Sequence, residues 1–256
     1  MSQPALSPWQ RSFVLAMQRF IYWLSKHWLA LANLFITLYL ALPFAAPVFM
    51  KVGWTGPART IYAVYKPLCH QLAFRSWFLF GEEAVYPRAE YEERFGFTDA
   101  AWPELFAQAR EFTGDETMGY KLALCERDVA TYAALLLGGI GYAFLRKRGL
   151  RPMPFWLFIL VGVLPMGVDG GSQFVSLVLP WFPARESVWQ LRALTGALFG
   201  FSIVWLAYPY VQEGMDETRE MLAARYGWDG YARSAQPEKQ TTRDKVVQIL
   251  EDQDLI

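Results

Sequence analysis

The sequence predicts an all-α integral membrane helical bundle, with about four transmembrane helices accompanied by amphipathic or interfacial ones. Three observations carry that reading. Hydrophobic residues make up 54% of the 256 positions, too many for an ordinary soluble domain. They gather in charge-free runs separated by polar stretches, the pattern of spans and loops. Eleven tryptophans suit a protein with two membrane–water interfaces, where amphipathic rings anchor. The 24 basic and 24 acidic side chains cancel. No global field therefore favours nucleic acid, and the lipid bilayer is the first partner implied.

Taken in order, residues 9–24 read as an interfacial amphipathic helix, because Arg11, Gln18 and Arg19 interrupt its apolar face. Residues 28–50 form the first span, since about 20 apolar residues cross roughly 30 Å of hydrocarbon. Arg11, Arg19 and Lys26 precede it as in a signal peptide, but the run is long and Pro47 follows Ala45-Ala46, so it is read as a retained anchor. Residues 57–80 carry Arg59, Lys66, Gln71 and Arg75, which makes a helix lying on or dipping into the membrane cheaper than a span. The polar insert, residues 82–120, has Asp99 as N-cap of a helix to about Phe112 with Pro103 in its first turn. Asp115 is placed to cap a longer helix running through Cys125 into the second span, residues 129–145. The third span is 154–179 and contains Asp169-Gly170-Gly171-Ser172-Gln173; the fourth is 191–210. Residues 1–212 thus make a membrane domain and 213–256 a charged cytoplasmic tail, with a short amphipathic helix at 245–250. Small residues at four-residue spacing, Ala130, Ala134 and Gly138 with Gly196 and Gly200, serve either the monomer's own packing or a homo-oligomer face, and the first weighs more.

Arg146, Lys147, Arg148 and Arg151 form the densest basic cluster, in a short loop that should be cytoplasmic. Four spans then place both termini in the cytoplasm and the protein in the plasma membrane, with residues 51–127 and 180–190 outside. Cys69, His70, Cys125, Arg127 and Asp128 fall on that outer side. Asp169 lies about 23 Å along a span that runs outward, at 1.5 Å per residue. Glu186 and Arg192 sit at the start of the fourth span. The polar residues therefore share one level.

An intramembrane carboxylate is costly unless paired or hydrated, so Asp169 is the candidate catalytic residue, weighed evenly against a structural ion pair with Arg192, Arg127 or Arg75. Gly170 and Gly171 beside it break the helix or admit a close approach. Cys125 and Asp128, spaced i, i+3, share a helix face. Cys69, His70, Cys125 and Asp128 are together acceptable ligands for zinc or another divalent metal, provided that Pro67 bends the chain enough for adjacent Cys69 and His70 to point at one ion. A Cys69–Cys125 disulfide and two inert thiols are the alternatives. Gln71, Arg75, Arg127, Gln173 and Arg192 would support the ligands or orient a substrate. His27 reads as an interface residue beside Trp28. No GxSxG, HExxH, P-loop or strand-bound GxGxxG is present.

Cys69-His70-Gln71, Arg75-Ser76, Phe80-Gly81, Cys125-x-Arg127, Asp169-Gly170-x-x-Gln173, Glu186-Ser187 and Arg192-x-x-Thr195-Gly196, in this order over residues 60–205, resemble a family of predicted prokaryotic integral membrane proteins, domain of unknown function twenty eighty-five. The resemblance implies a small multi-pass membrane protein and no established activity. Two departures bear on chemistry. The family's Cys-x-Arg-Cys run followed by Thr-Gly is here Cys125-x-Arg127-Asp128 followed by Val-Ala. A carboxylate can replace thiolate on zinc but cannot form a disulfide, so a dithiol redox role weakens. The second departure is the insert, where the family is brief. The favoured function is an outward-facing polar pocket that binds a metal and acts on a lipid or small polar substrate. The alternatives are a non-enzymatic accessory or assembly subunit of a membrane complex, and a small transporter with Asp169 as coupling carboxylate.

Overall fold

The computed structural model describes residues 7–98, 101–178 and 185–228. Its helices are α1 (Pro8–Lys51), α2 (Thr55–Tyr65), α3 (Arg88–Phe95), α4 (Trp102–Glu111), α5 (Glu126–Leu145), α6 (Phe155–Phe158), α7 (Leu164–Val178) and α8 (Trp189–Tyr226). Strands β1 (Phe78–Leu79), β2 (Gly114–Asp115) and β3 (Gly119–Lys121) form one antiparallel sheet in the order β1-β3-β2. Four helical stretches are long and apolar enough to cross a membrane: Pro8–Lys51, Glu126–Arg148, Phe155–Ser176 and Trp189–Tyr226. The four spans read from the sequence each fall on one of them. Phe35, Phe144, Trp156 and Phe174 are each about two-thirds exposed or more on these helices, a surface suited to acyl chains rather than water.

The chain divides into two units. The smaller, residues 1–27 with 213–256, holds the start of α1 and the end of α8. Within it Tyr22 meets Trp228 edge-on at 5.0 Å, and His27 stacks on Trp23 at 5.0 Å and contacts its carbonyl oxygen through Nδ1. Trp9, Phe13, Phe20 and Trp23 are exposed on this part of α1. The sequence separates residues 9–24 from the first span and ends the fourth at 210; in the structure both are continuous helices, because nothing between them opposes helix. The Asp99 cap and the 245–250 helix lie outside the described residues.

The larger unit, residues 28–212, contains everything that positions the polar residues. Pro43, Pro47 and Pro209 lie inside its spanning helices, as does Pro165 in the third. A helical proline leaves the carbonyl four residues earlier without its N–H partner. For Pro43, Pro47 and Pro209 the freed carbonyl is taken by a neighbouring segment. Tyr39 O, opposite Pro43, accepts the Tyr65 hydroxyl at 2.6 Å. Pro43 O, opposite Pro47, accepts Ala123 N–H at 3.4 Å, and Trp205 O, opposite Pro209, accepts Met153 N–H at 3.1 Å. The prolines thus act as attachment points between spans and loops, which is how such residues are tolerated away from water. In the third span a π-helical stretch, Ile159–Val163, precedes Pro165.

The small residues pack the monomer. A Cβ on Gly196 would lie 2.5 Å from Arg127 O, and one on Gly200 2.4 Å from Thr131 O, so α5 and α8 touch backbone to backbone. Gly138 meets Val204 and Phe201 across the same seam.

The polar insert departs from expectation. Asp115 does not cap a helix through Cys125. Its Oδ1 accepts the N–H groups of Thr117 and Met118, closing a turn that pairs β2 with β3. Gly119 adopts φ +76, open to glycine alone at such close approach, since a Cβ there would meet Leu79 O at 2.3 Å. Helix α5 begins only at Glu126, with Cys125 as its N-cap residue. Around this sheet α3 and α4 bury Phe74, Phe78, Tyr86, Tyr91, Leu105 and Met118, a core separate from that of the spans. Helix α4 starts at Trp102, with Pro103 in its first turn. Residues 57–80 hold most of the 11-residue α2, too short to span, then irregular chain with a 3-10 turn at Ala73–Arg75, and β1.

Candidate functional site

The irregular stretch after α2 brings Cys69 to Cys125. Gln71 holds the bend: its backbone is left-handed (φ 54), a conformation that costs energy for a non-glycine residue. Its amide donates to Tyr62 O and Ala123 O, both at 3.0 Å, tying the end of α2 to the chain that leaves β3. Lys121, fully buried, donates from Nζ to the carbonyls of Gln71, Ala109 and Arg110. Burial lowers its pKa to about 7. The sequence shows no sign of this role, since a lysine at the end of a polar stretch reads as solvated.

Held this way, Cys69 Sγ accepts the Cys125 backbone N–H at 3.2 Å, and the Cys125 thiol donates to Asp128 Oδ2 at 3.1 Å. The ligand atoms of Cys69, Cys125 and Asp128 all lie within 4.8 Å of one another, and both cysteines are free. The neighbouring Cys69, then burial, push the Cys125 thiol well above its ordinary range. His70 is not part of this group. The bend that carries Cys69 inward turns His70 outward, where it is exposed and edge-on to Phe106 at 5.8 Å.

Asp169 is 3% exposed and fully partnered. Arg127 pairs with its Oδ2, Arg185 with its Oδ1 at 3.2 Å, and the Ser187 hydroxyl donates to Oδ2 at 3.0 Å. Gly170 does not break the helix; it makes room, since a Cβ there would lie 2.9 Å from Arg127 Nη1. Gln173 is buried and donates to Asp169 O at 3.0 Å. A second network adjoins. Arg75 grips Glu186 with two hydrogen bonds of 2.7 and 2.8 Å. Arg192, 4% exposed, joins Glu186 at 2.9 Å to Glu126 at 2.6 Å and also donates to Ser187 O and Phe74 O. Thus the structural pairs of Asp169 are Arg127 and Arg185, while Arg192 and Arg75 serve Glu186 and Glu126. Neither Arg185 nor Glu126 stands out in the sequence, because each sits at a span boundary, where charge is ordinary. These contacts place the starts of α5 and α8 and the middle of α7 at one level.

Two adjoining lobes open among these groups. One, of about 370 Å³, is lined by Cys69, His70, Cys125, Asp128, Met166 and Gln173 among others. The other, of about 400 Å³, is lined by Arg75, Arg88, Arg127 and Arg185 together with Trp102, Phe106 and Phe174.

Fold and site define a multi-pass helical membrane protein whose polar residues converge at one end of the bundle. Residues 116–206 match the model of the family described as predicted membrane protein (DUF2085), the family that the sequence resembles. An uncharacterized protein of Methanocaldococcus jannaschii is 28% identical over 191 residues, covering 73% of this chain and 93% of the relative. No solved structure matches the chain. The matched segment includes Cys125, Asp128, Asp169 and Arg192, and begins after Cys69.

Proposed function

We propose that the protein binds one divalent metal ion, zinc by the character of its donors, at Cys69, Cys125 and Asp128. We place this site on the outer side of the plasma membrane, where the adjoining cavity receives a lipid or small polar substrate. The observation that carries the reading is the convergence of two free thiols and a carboxylate, from separate parts of the chain, on one cavity wall. Thiolate and carboxylate suit zinc, and three protein donors leave a fourth position for water or substrate, the arrangement of zinc sites that do chemistry. Such an ion acidifies bound water and polarises a carbonyl or phosphoryl oxygen. The chain's own residues hold it: Gln71 fixes the Cys69 bend and Lys121 fixes Gln71. In this reading Asp169 is a positioning residue that aims Arg127 and Arg185 into the cavity.

Elemental analysis of the purified full chain in detergent is expected to find about one zinc per protein, lost in Cys69→Ser and in Cys125→Ser. Wild-type protein without metal, its thiols labelled equally with and without chelator, would overturn the site. Orientation is checked separately: reporter fusions at residues 110, 149, 185 and 235 should read out, in, out and in. A different pattern would move the cavity to the other face.

A second reading has its own support. The complete pairing of Asp169, Glu186 and Arg192 is what a purely structural cluster would show, in a subunit that acts by assembly rather than by chemistry. Metal-free protein with a fully stable bundle would favour it.

A further inference from the structure

We infer that the 400 Å³ lobe binds the phosphate group of an amphiphilic ligand, with an anionic phospholipid headgroup as the form it takes in the membrane. The inference rests on the proposed function for the outward, membrane-level placement of the cavity, but not on the metal.

The first argument is charge. The guanidiniums of Arg75, Arg127, Arg185 and Arg192 meet the carboxylates of Asp169, Glu186 and Glu126 in pairs of 2.5–3.2 Å, four cations against three anions. Among the described residues Asp128 is a further carboxylate nearby, and it faces Cys125 in the other lobe. Arg88, on the cavity wall, pairs with Glu92 at 2.6 Å and lies over the Trp102 ring at 5.1 Å. The lining of this lobe itself is four arginines against one carboxylate, Glu186, and an anion is the ligand that compensates that excess.

The second argument is geometry. Arg75 comes from the turn before β1, Arg88 from α3, Arg127 from α5 and Arg185 from the segment entering α8, and all four line one lobe. A single carboxylate is saturated by one or two guanidiniums. A phosphate offers acceptors in several directions and suits donors converging from four elements. Donor capacity remains to be used, since the Arg185 side chain is 37% exposed.

The third argument is size and surroundings. The lobe has the volume of a pocket for an organic ligand, far more than inorganic phosphate fills. Trp102 and Phe106 form its apolar wall. Phe174, 66% exposed on a spanning helix, continues that wall onto the surface that faces acyl chains. An anionic head in the arginines with its tail along Phe174 satisfies both halves.

The test is calorimetric titration of the full chain in neutral detergent with dihexanoyl phosphatidic acid, dihexanoyl phosphatidylcholine and inorganic phosphate at matched ionic strength. Phosphatidic acid is expected to bind at least about tenfold more tightly than phosphatidylcholine. Arg88→Gln and Arg185→Gln should each weaken it about tenfold or more, with melting unchanged for Arg88→Gln, whose side chain lies outside the buried networks. Inorganic phosphate that binds as tightly as phosphatidic acid would keep the phosphate site but assign it to a soluble phosphate compound. Equal binding of the two lipids, or a folded Arg88→Gln, Arg185→Gln double variant that binds like wild type, would overturn the inference. Metal-free wild type that still prefers phosphatidic acid would sink the metal reading alone. Zinc-loaded protein indifferent to headgroup charge would sink this one alone.

Discussion

Arg192→Met is expected to lower the unfolding free energy in detergent by about 3–5 kcal/mol, the usual cost of removing one partner from a buried ion pair. Arg192 is 4% exposed and Glu126 is completely buried, so water cannot take over when the guanidinium is gone. The change takes from Glu126 its ion-pair partner, leaves Glu186 paired with Arg75, and leaves the Phe74 and Ser187 carbonyls without this donor. Methionine fills similar space, so the loss reads charge rather than volume. Glu126→Gln in the same chain should recover a good part of it, because the stranded carboxylate is then removed as well. Denaturant unfolding of the two variants and their double measures this directly. A loss below about 1 kcal/mol for Arg192→Met would mean that the pair is hydrated, contrary to its burial.

Asp169→Asn is expected to destabilise by about 3 kcal/mol, since it leaves Arg127 and Arg185 facing each other without the anion between them. The Arg185 contribution is the smaller, as its side chain is more than one-third exposed and solvent screens it. Adding Arg127→Met should restore most of the stability; adding a change at Arg192 should not, because Arg192 does not contact Asp169. Metal content is expected to stay near wild type, because Asp169 is not among the clustered ligand atoms. The outcome that would return Asp169 to the chemistry is a variant that unfolds like wild type yet loses metal or ligand. Thermal melting and elemental analysis of the same preparation distinguish the cases.

These two outcomes also separate what the sequence makes legible from what it does not. Asp169 stood out in the sequence because a carboxylate inside an apolar run has few explanations. Its partners did not, because arginines at span boundaries are common and any of several could reach it. The ligand set shows the same asymmetry. Cys125 and Asp128 share a helix face by spacing alone, and the structure keeps them together. Whether Cys69 or His70 would join them depends on a bend whose direction is set by Gln71, held in a left-handed conformation by the Tyr62 carbonyl nine residues before it and the Ala123 carbonyl 52 residues after it.

The sequence by itself determined the class of protein, the four apolar stretches and the level at which the polar residues lie. Hydropathy and helix rise are local properties, and they act the same way whatever the neighbours are. Only the tertiary structure decided how the insert folds, which arginine faces which carboxylate, and what the helical prolines are for. Asp115 closes a hairpin rather than capping a helix because Gly119 permits the turn and the aromatic core beneath it rewards the sheet. Pro43, Pro47 and Pro209 read as interruptions along the chain. In the folded protein the carbonyls that they free are acceptors for Tyr65, Ala123 and Met153, and those partners come from segments that only folding brings near. Pairing of buried polar groups is a long-range property, satisfied by the whole structure and not by any stretch of sequence.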